Sequence, residues 1–218
     1  MPKKGFIFDL DGVIVDTAKY HFLAWKRLAK SIGVDFTEEQ NEQLKGVSRV
    51  KSLEKILVWG NKSISEDEFM ELMALKNDDY LSYINSMDEA EILPDVPKIL
   101  NFLAQRNQPV ALGSASKNAR IILEKVNLKS KFDAIVDGNN VQKAKPNPEV
   151  FIKAAELLEI DPKDCVVFED SVAGVQAANI AGMVSIGIGD KKVLEKADYV
   201  FNDFTEISLD FIESLIVD

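Results

Sequence analysis

Gly5-Phe6-Ile7-Phe8-Asp9-Leu10-Asp11-Gly12 is the stretch that decides how the rest of the chain reads. Its first four residues form an apolar run rich in aromatic and β-branched side chains, and the run stops at two aspartates and a glycine. A short continuous apolar run closed by a glycine turn predicts a strand buried on both faces, as in a parallel sheet. In open parallel sheets ligands bind beyond the carboxyl ends of the strands, where the two aspartates stand.

The same grammar returns after Pro94 and Pro97. Val96, Ile99, Leu100 and Leu103 predict a helix and Val110–Gly113 a strand. Further helices over 121–126, 150–158 and 172–181 alternate with strands at 134–136, 166–168 and 184–186, and Tyr199-Val200-Phe201 supplies a sixth strand. Alternation with short links predicts an α/β fold, a doubly wound, Rossmann-like parallel sheet. Between Thr17 and about Met87 the pattern is helical instead. Phe22, Trp25, Leu28, Ala29 and Ile32 recur at helical spacing, and Gly33 follows as a stop. Leu53, Ile56 and Leu57 suggest a second helix, and a third over 65–84 starts at Ser65 with Glu68 three residues on, the pattern of a capping box. This block is an insertion after the first strand, too small to be the main core. The expected division is 1–16 with 93–218 as the α/β core and 17–92 as the helical insertion.

Composition narrows the chemistry. The 218 residues include one cysteine, one histidine and 36 acids against 26 bases, a formal net charge of −10. A lone Cys165 excludes a disulfide framework and a cysteine zinc site. A lone His21 excludes multi-histidine metal sites. The acidic balance argues against nucleic acid as a partner, and no apolar run is long enough for a membrane span. No signal peptide is read at the amino terminus, so a cytoplasmic, monomeric protein is expected.

Four predicted strand ends converge on one crevice. They bring Asp9 and Asp11, then Ser114 and Ser116, then Lys145, then Glu169 and Asp170. Clustered carboxylates repel one another unless a cation is present. Oxygen ligands without histidine favour a hard ion, most often Mg²⁺. A Mg²⁺ beside one lysine suits a phosphoryl group. No glycine-rich loop followed by Lys-Ser/Thr is present, so an aspartate nucleophile is the natural alternative to P-loop chemistry.

Phe8-Asp9-Leu10-Asp11-Gly12-Val13-Ile14-Val15-Asp16-Thr17, Ser114, Lys145-Pro146 and Glu169-Asp170-Ser171 with Gly174 resemble, in order, the four motifs of the haloacid dehalogenase-like superfamily, phosphotransferase branch. The resemblance covers essentially the whole chain, and it makes the insertion a helical cap over the site. Asn41-Glu42-Gln43-Leu44-Lys45-Gly46-Val47-Ser48-Arg49 in the cap, Ser114-Ala115-Ser116-Lys117-Asn118, and Tyr20-His21-Phe22 with Trp25 are similar to the family's sugar phosphomutases.

That resemblance implies the roles. Asp9 is the nucleophile and a Mg²⁺ ligand. Asp11 is the general acid/base, its backbone carbonyl a further ligand, and it needs surroundings that favour the protonated form in part of the cycle. Asp170 ligates Mg²⁺ directly, and Glu169 does so directly or through water. Ser114 and Lys145 grip the transferring phosphoryl group, with Ala115, Ser116 and Asn118 beside them. Arg49 suits a second, remote phosphate, because a guanidinium binds oxyanions bidentately. Lys45, Gly46 and Val47 belong to the same cap run, Gly46 allowing close backbone approach. Ser48 and Ser52 bind sugar hydroxyls or the remote phosphate, although Ser52 also reads as helix surface. His21 faces Asp11, Lys76 is either a site lysine or a solvated one, and Trp25 is either cap core or a sugar-facing ring. Thr17 marks one hinge and Pro94 the other. The implied reaction interconverts β-glucose 1-phosphate and glucose 6-phosphate through an aspartyl-phosphate, with glucose 1,6-bisphosphate as activator and intermediate. A Mg²⁺-dependent sugar-phosphate phosphatase is the alternative. The expected partner is therefore a small sugar phosphate, and Arg49, Lys45, Lys76 and Lys145 are expected to make the cleft locally positive on an acidic surface.

Overall fold

The protein is described by a computed structural model covering residues 3–45 and 47–217. In chain order, β1 (Gly5–Phe8) leads into four inserted helices, α1 (Ala18–Ser31), α2 (Glu38–Glu42), α3 (Arg49–Trp59) and α4 (Glu66–Ile84). The core resumes with α5 (Val96–Gln105), β2 (Val110–Gly113), α6 (Ala119–Lys125), β3 (Ala134–Val136) and α7 (Glu149–Leu158). It ends with β4 (Cys165–Glu169), α8 (Val172–Ile180), β5 (Val184–Ile188), β6 (Tyr199–Phe201) and α9 (Leu209–Val217).

All six strands pair in parallel in the order β3-β2-β1-β4-β5-β6. The chain winds outward from β1 first one way and then, from β4, the other. The strand order therefore reverses between β1 and β4, and a crevice opens at their carboxyl ends. Asp9 follows β1, and Glu169 is the last residue of its neighbour.

β1 shows why its sequence forms this centre. Side chains alternate across a strand. Phe6 and Phe8 pack into the cluster formed with α5, α6 and α9, whereas Ile7 packs into the one formed with α7 and α8. With both faces covered, every residue of the strand is buried and no polar alternation is possible. Phe8 stands opposite Phe168 of β4, their rings stacked at 4.5 Å.

The inserted helices carry an apolar cluster of their own, which includes Trp25, Leu28, Phe36, Leu53, Ile56 and Leu72. α4 spans two clusters: Leu72 belongs to that one, while Tyr80 and Ile84 belong to the core of the sheet domain. The two crossings are adjacent, since Val15 and Ile92 form an antiparallel bridge and Asp16 donates its N–H to the Glu91 carbonyl. Gly33, at φ +69°, ends α1 where a stop was expected. Ser65 caps α4 by accepting from the Glu68 N–H at 3.2 Å. The reciprocated capping box occurs instead at Thr37 and Gln40, before α2. α2 and α9 had no counterpart in the sequence reading. Among the described residues, no helix is long and apolar enough to cross a membrane.

Candidate active site

A cavity of about 500 Å³ lies between the cap helices and the carboxyl end of the sheet. Asp9, Asp11, Ser114 and Asp170 line it from the core; His21, Lys45, Arg49 and Lys76 line it from the cap.

At the floor, the sequence around β1 and β4 fixes a buried ion triad. Lys145 Nζ donates to Asp9 Oδ1 at 2.6 Å, to Glu169 Oε1 at 2.5 Å and to the Gly113 carbonyl at 3.2 Å. Glu169 is wholly buried, and its other oxygen accepts from both the N–H and the hydroxyl of Ser171, each at 2.8 Å. Every oxygen of Glu169 is thus committed within the protein. The two motif glycines follow from these carboxylates. A Cβ at Gly174 would collide with the Glu169 carboxyl group, and one at Gly12 with that of Asp170. Gly12 also sits at φ +81°, a region that other residues avoid.

Burial pushes the Asp9 carboxyl up to about 7; Lys145 opposes this, and the charges of Glu169 and Asp11 add to it. Burial also raises Asp170 well above the usual carboxylate range, reinforced by Glu169 and Asp9. Lys145 is held above its usual value: burial lowers it, but the two carboxylates outweigh that. The floor thus holds three carboxyl groups against the one cation Lys145, and ionising Asp9 and Asp170 there calls for further positive charge. Their all-oxygen chemistry fits Mg²⁺. Among the described residues, no three Asp, Glu, His or Cys side chains are already gathered round one point. Asp9, Asp170 and the Asp11 carbonyl are the groups that would hold the ion. Mg²⁺ commonly keeps waters and substrate phosphate oxygens alongside one or two carboxylates, so this set suffices.

Asp11 belongs to a second network. Thr17 sits at the cap of α1, yet its hydroxyl donates to Asp11 Oδ1 instead of capping the helix. His21 Nε2 lies 3.7 Å from the same oxygen, and His21 Nδ1 faces Lys76 Nζ at 2.8 Å. This order makes Nδ1 the acceptor and Nε2 the N–H donor. Lys76 is buried, with its ammonium 4.5 Å from the Tyr80 ring centroid and 4.8 Å from that of Trp25. Burial, then the charge of Arg49, drives Lys76 down to about 7. Burial and the Lys76 charge likewise depress His21. Burial would raise Asp11, but the hydrogen bond and charge of His21 and the Thr17 hydroxyl outweigh it and hold the carboxyl below its ordinary value. In this arrangement Asp11 is a carboxylate, the base form.

Across the cavity, Arg49 opens α3 and donates from Nη2 to Asn77 Oδ1 at 2.6 Å. Asn118, just before α6, donates to the same oxygen at 3.1 Å. Lys45 Nζ lies 3.8 Å from Asp170 Oδ2, a second polar link between cap and core. Ser114 is buried, and its hydroxyl accepts from the Ser116 N–H at 3.1 Å; the Ser116 hydroxyl accepts from the Asn118 N–H at 3.3 Å. These turns present Ala115 and Ser116 to the cavity.

The structure therefore brings Asp9, Asp11, His21, Trp25, Lys45, Val47, Ser48, Arg49, Ser52, Lys76, Ser114, Ala115, Ser116, Asn118 and Asp170 to one cavity wall. Thr17, Lys145 and Glu169 stand behind it, bonded to Asp11 or Asp9 or packed under Lys145. At three positions the structure bears on two open readings. Ser52 is buried and donates to the Ser48 carbonyl at 3.0 Å, so it is not helix surface. Lys76 is not solvated. Trp25 is both cap core and cavity wall. The Ser48 hydroxyl is engaged as the cap of α3, accepting from the Lys51 N–H at 3.4 Å. Gly46 lies outside the described residues. Met73, Asn77 and Tyr80 went unnoticed in the sequence. Met73 and Tyr80 lie three residues before and four after Lys76 on α4, so extending that face would have found them; Asn77, one residue on, is not at that spacing.

A family model for haloacid dehalogenase-like hydrolases matches residues 3–182. The chain is 41% identical over 211 residues to a β-phosphoglucomutase of Bacillus subtilis, covering 96% of this chain and 93% of that protein. It is 30% identical over 201 residues to a phosphorylated carbohydrates phosphatase of Thermotoga maritima, covering 89% and 91%. The crystal structure of a β-phosphoglucomutase from Clostridium difficile superposes with a TM-score of 0.94 at 40% identity, covering 98% of this chain and 97% of that one.

Proposed function

As the chain belongs to the haloacid dehalogenase-like hydrolase family, we propose that it catalyses the β-phosphoglucomutase reaction, interconverting β-glucose 1-phosphate and glucose 6-phosphate. One observation carries this reading beyond the family's shared chemistry. The cavity is bounded by two separate networks, Asp9 with Lys145 and Ser114 at the floor and Arg49 with Asn118 elsewhere on its wall, and this supports two positions for phosphate. A phosphatase acting on a monophosphate needs only the first.

Asp9 is the nucleophile in this scheme. Its Oδ1 is held by Lys145, and Oδ2, without a hydrogen-bond partner among the described residues, is the oxygen left for phosphorus. Phosphorylated Asp9 passes its phosphoryl group to the 6-hydroxyl of β-glucose 1-phosphate, and Asp11 takes the proton. Its carboxyl is held below the ordinary value, so Asp11 is present as the carboxylate, the form that can accept the proton. The product is glucose 1,6-bisphosphate, whose free phosphate rests on Arg49 and Asn118. After the bisphosphate turns end for end, Asp9 attacks the phosphorus at C1 and Asp11 returns its proton to the departing oxygen. Ser114 holds a phosphoryl oxygen in both halves, and Lys145, whose three N–H groups go to Asp9, Glu169 and the Gly113 carbonyl, fixes the nucleophile. Mg²⁺, when bound by Asp9, Asp170 and the Asp11 carbonyl, supplies charge stabilisation to the phosphoryl group in flight. Glu169 acts through Lys145. Residues 17–92 serve as the cap, hinged near Thr17 and Pro94, and their closure keeps water from the aspartyl-phosphate.

The test is product analysis with β-glucose 1-phosphate, Mg²⁺ and a trace of glucose 1,6-bisphosphate. Glucose 6-phosphate without free phosphate is the expected outcome. Free phosphate as the main product would instead make the chain a sugar-phosphate phosphatase, like its Thermotoga maritima relative.

A further inference from the structure

We propose that Asn77 is a positioning residue for the remote-phosphate subsite, setting the spacing of Arg49 and Asn118 and making that spacing depend on closure of the cap. This rests on reading those two residues as the subsite's donors.

Asn77 lies on the cap, one residue from Lys76 on α4, and its Oδ1 accepts two hydrogen bonds at once. One comes from Arg49 Nη2 at 2.6 Å, within the cap, and the other from Asn118 Nδ2 at 3.1 Å, across the cleft from the core. A single carbonyl oxygen thus draws together a guanidinium and an amide that lie 69 positions apart in sequence. Neither donor is exhausted. A guanidinium carries five N–H groups and a carboxamide two, so each keeps N–H groups for an anion. Arg49 is half-buried, and its bond goes to a neutral amide instead of a carboxylate. Its positive charge therefore stays available. A carboxylate in the same place would hold the guanidinium as firmly but would cancel the charge and repel phosphate. An amide supplies geometry without charge. Because one donor is on each side of the cleft, the pair reaches phosphate-binding spacing only when the cap is down.

The experiment compares Asn77→Ala, Asn77→Asp and Arg49→Ala in the full-length enzyme with Mg²⁺. Each is assayed on primed β-glucose 1-phosphate and on p-nitrophenyl phosphate, which has no second phosphate. Asn77→Ala is expected to raise KM for the hexose phosphate about tenfold more than KM for the aryl phosphate, the size of one lost charge-assisted hydrogen bond. Asn77→Asp is expected to be worse than Asn77→Ala on that ratio, although aspartate is the closer match in shape. A residue that merely holds the fold would rank the other way, with aspartate the milder change, and that order would overturn the proposal. Equal KM increases on both substrates for both Asn77 variants would overturn it too. If Arg49→Ala is selective and the Asn77 variants are not, only the role of Asn77 fails. If Arg49→Ala is not selective, the subsite itself is misassigned.

Discussion

Lys145 holds Asp9 at 2.6 Å from inside the protein, beneath the cavity and not across it. The lysine is therefore a counter-ion to the nucleophile and to Glu169 at the same time. The two are separable by mutation. Asp9→Asn is expected to abolish turnover on both hexose and aryl phosphates, by about a thousandfold or more. It should not lower the melting temperature, because burial already makes the Asp9 charge a cost. Trapping experiments should find no acid-stable or base-labile phosphoryl-enzyme in that variant.

Lys145→Met removes the cation and leaves two buried carboxylates facing each other. Breaking a buried ion group in this way costs about 3–5 kcal/mol. Urea denaturation without divalent cation should show this loss, and added Mg²⁺ should restore part of it. A variant as stable as wild type would mean that the carboxylates find another counter-charge.

Lys76 gives stability a pH dependence. Its value falls from 10.5 unfolded to about 7 folded, so between those limits the unfolded chain binds more protons. Stability then rises with pH across that window. Below about 7 the lysine is charged in both states and the full penalty of burying it is present. Lys76→Met should therefore gain stability at pH 6, on the order of a few kcal/mol, and the gain should shrink toward zero by pH 10. Thermal melts of the pair across this range provide the check; a gain independent of pH would show that Lys76 is not buried as a cation.

Gly174→Ala probes why the fourth motif ends in glycine. The added methyl group falls on the Glu169 carboxyl group, which Lys145 and Ser171 prevent from moving. Overpacking of this kind costs about 1–3 kcal/mol. Turnover should drop as well, through displacement of Lys145 from Asp9. Normal activity and normal stability together would show that Glu169 has room to shift.

Magnesium binding should be visible without catalysis. An ion held by the folded carboxylates and not by the unfolded chain stabilises by about 2.7 kcal/mol at a hundred times its Kd. Titration with Mg²⁺ should raise the melting temperature of wild type and not that of Asp170→Asn. An equal rise in both would remove Asp170 from the ligand set.

The floor of the site was legible in the sequence because each part is local. An apolar run followed by Asp9, Ser114 or Glu169 states both the strand and what stands at its end. The α4 wall was not legible. That helix exposes Met70 and Leu75 on its outer side, so its apolar residues do not mark a single buried stripe and only Lys76 stood out. Asn77 has significance only through Arg49 and Asn118, which reach it from 28 and 41 residues away. The two capping patterns teach the same lesson on a smaller scale. Thr37-x-x-Gln40 and Ser65-x-x-Glu68 look equivalent as letters, and only the first closes in both directions.

α4 has one end in each apolar cluster, and this makes it a lever. Its fulcrum is the turn around Tyr80 and Ile84, fixed in the sheet domain, and its arm carries Lys76 and Asn77. From Asn77 to Ile84 the arm is about 10 Å long at 1.5 Å per residue. A tilt of roughly 10° at the fulcrum would therefore sweep Asn77 through about 2 Å, enough to break its bond to Asn118. Small repacking beneath Tyr80 is thus amplified at the far wall of the cavity, and substitutions at Ile84, remote from any phosphate, should alter which substrates the enzyme retains.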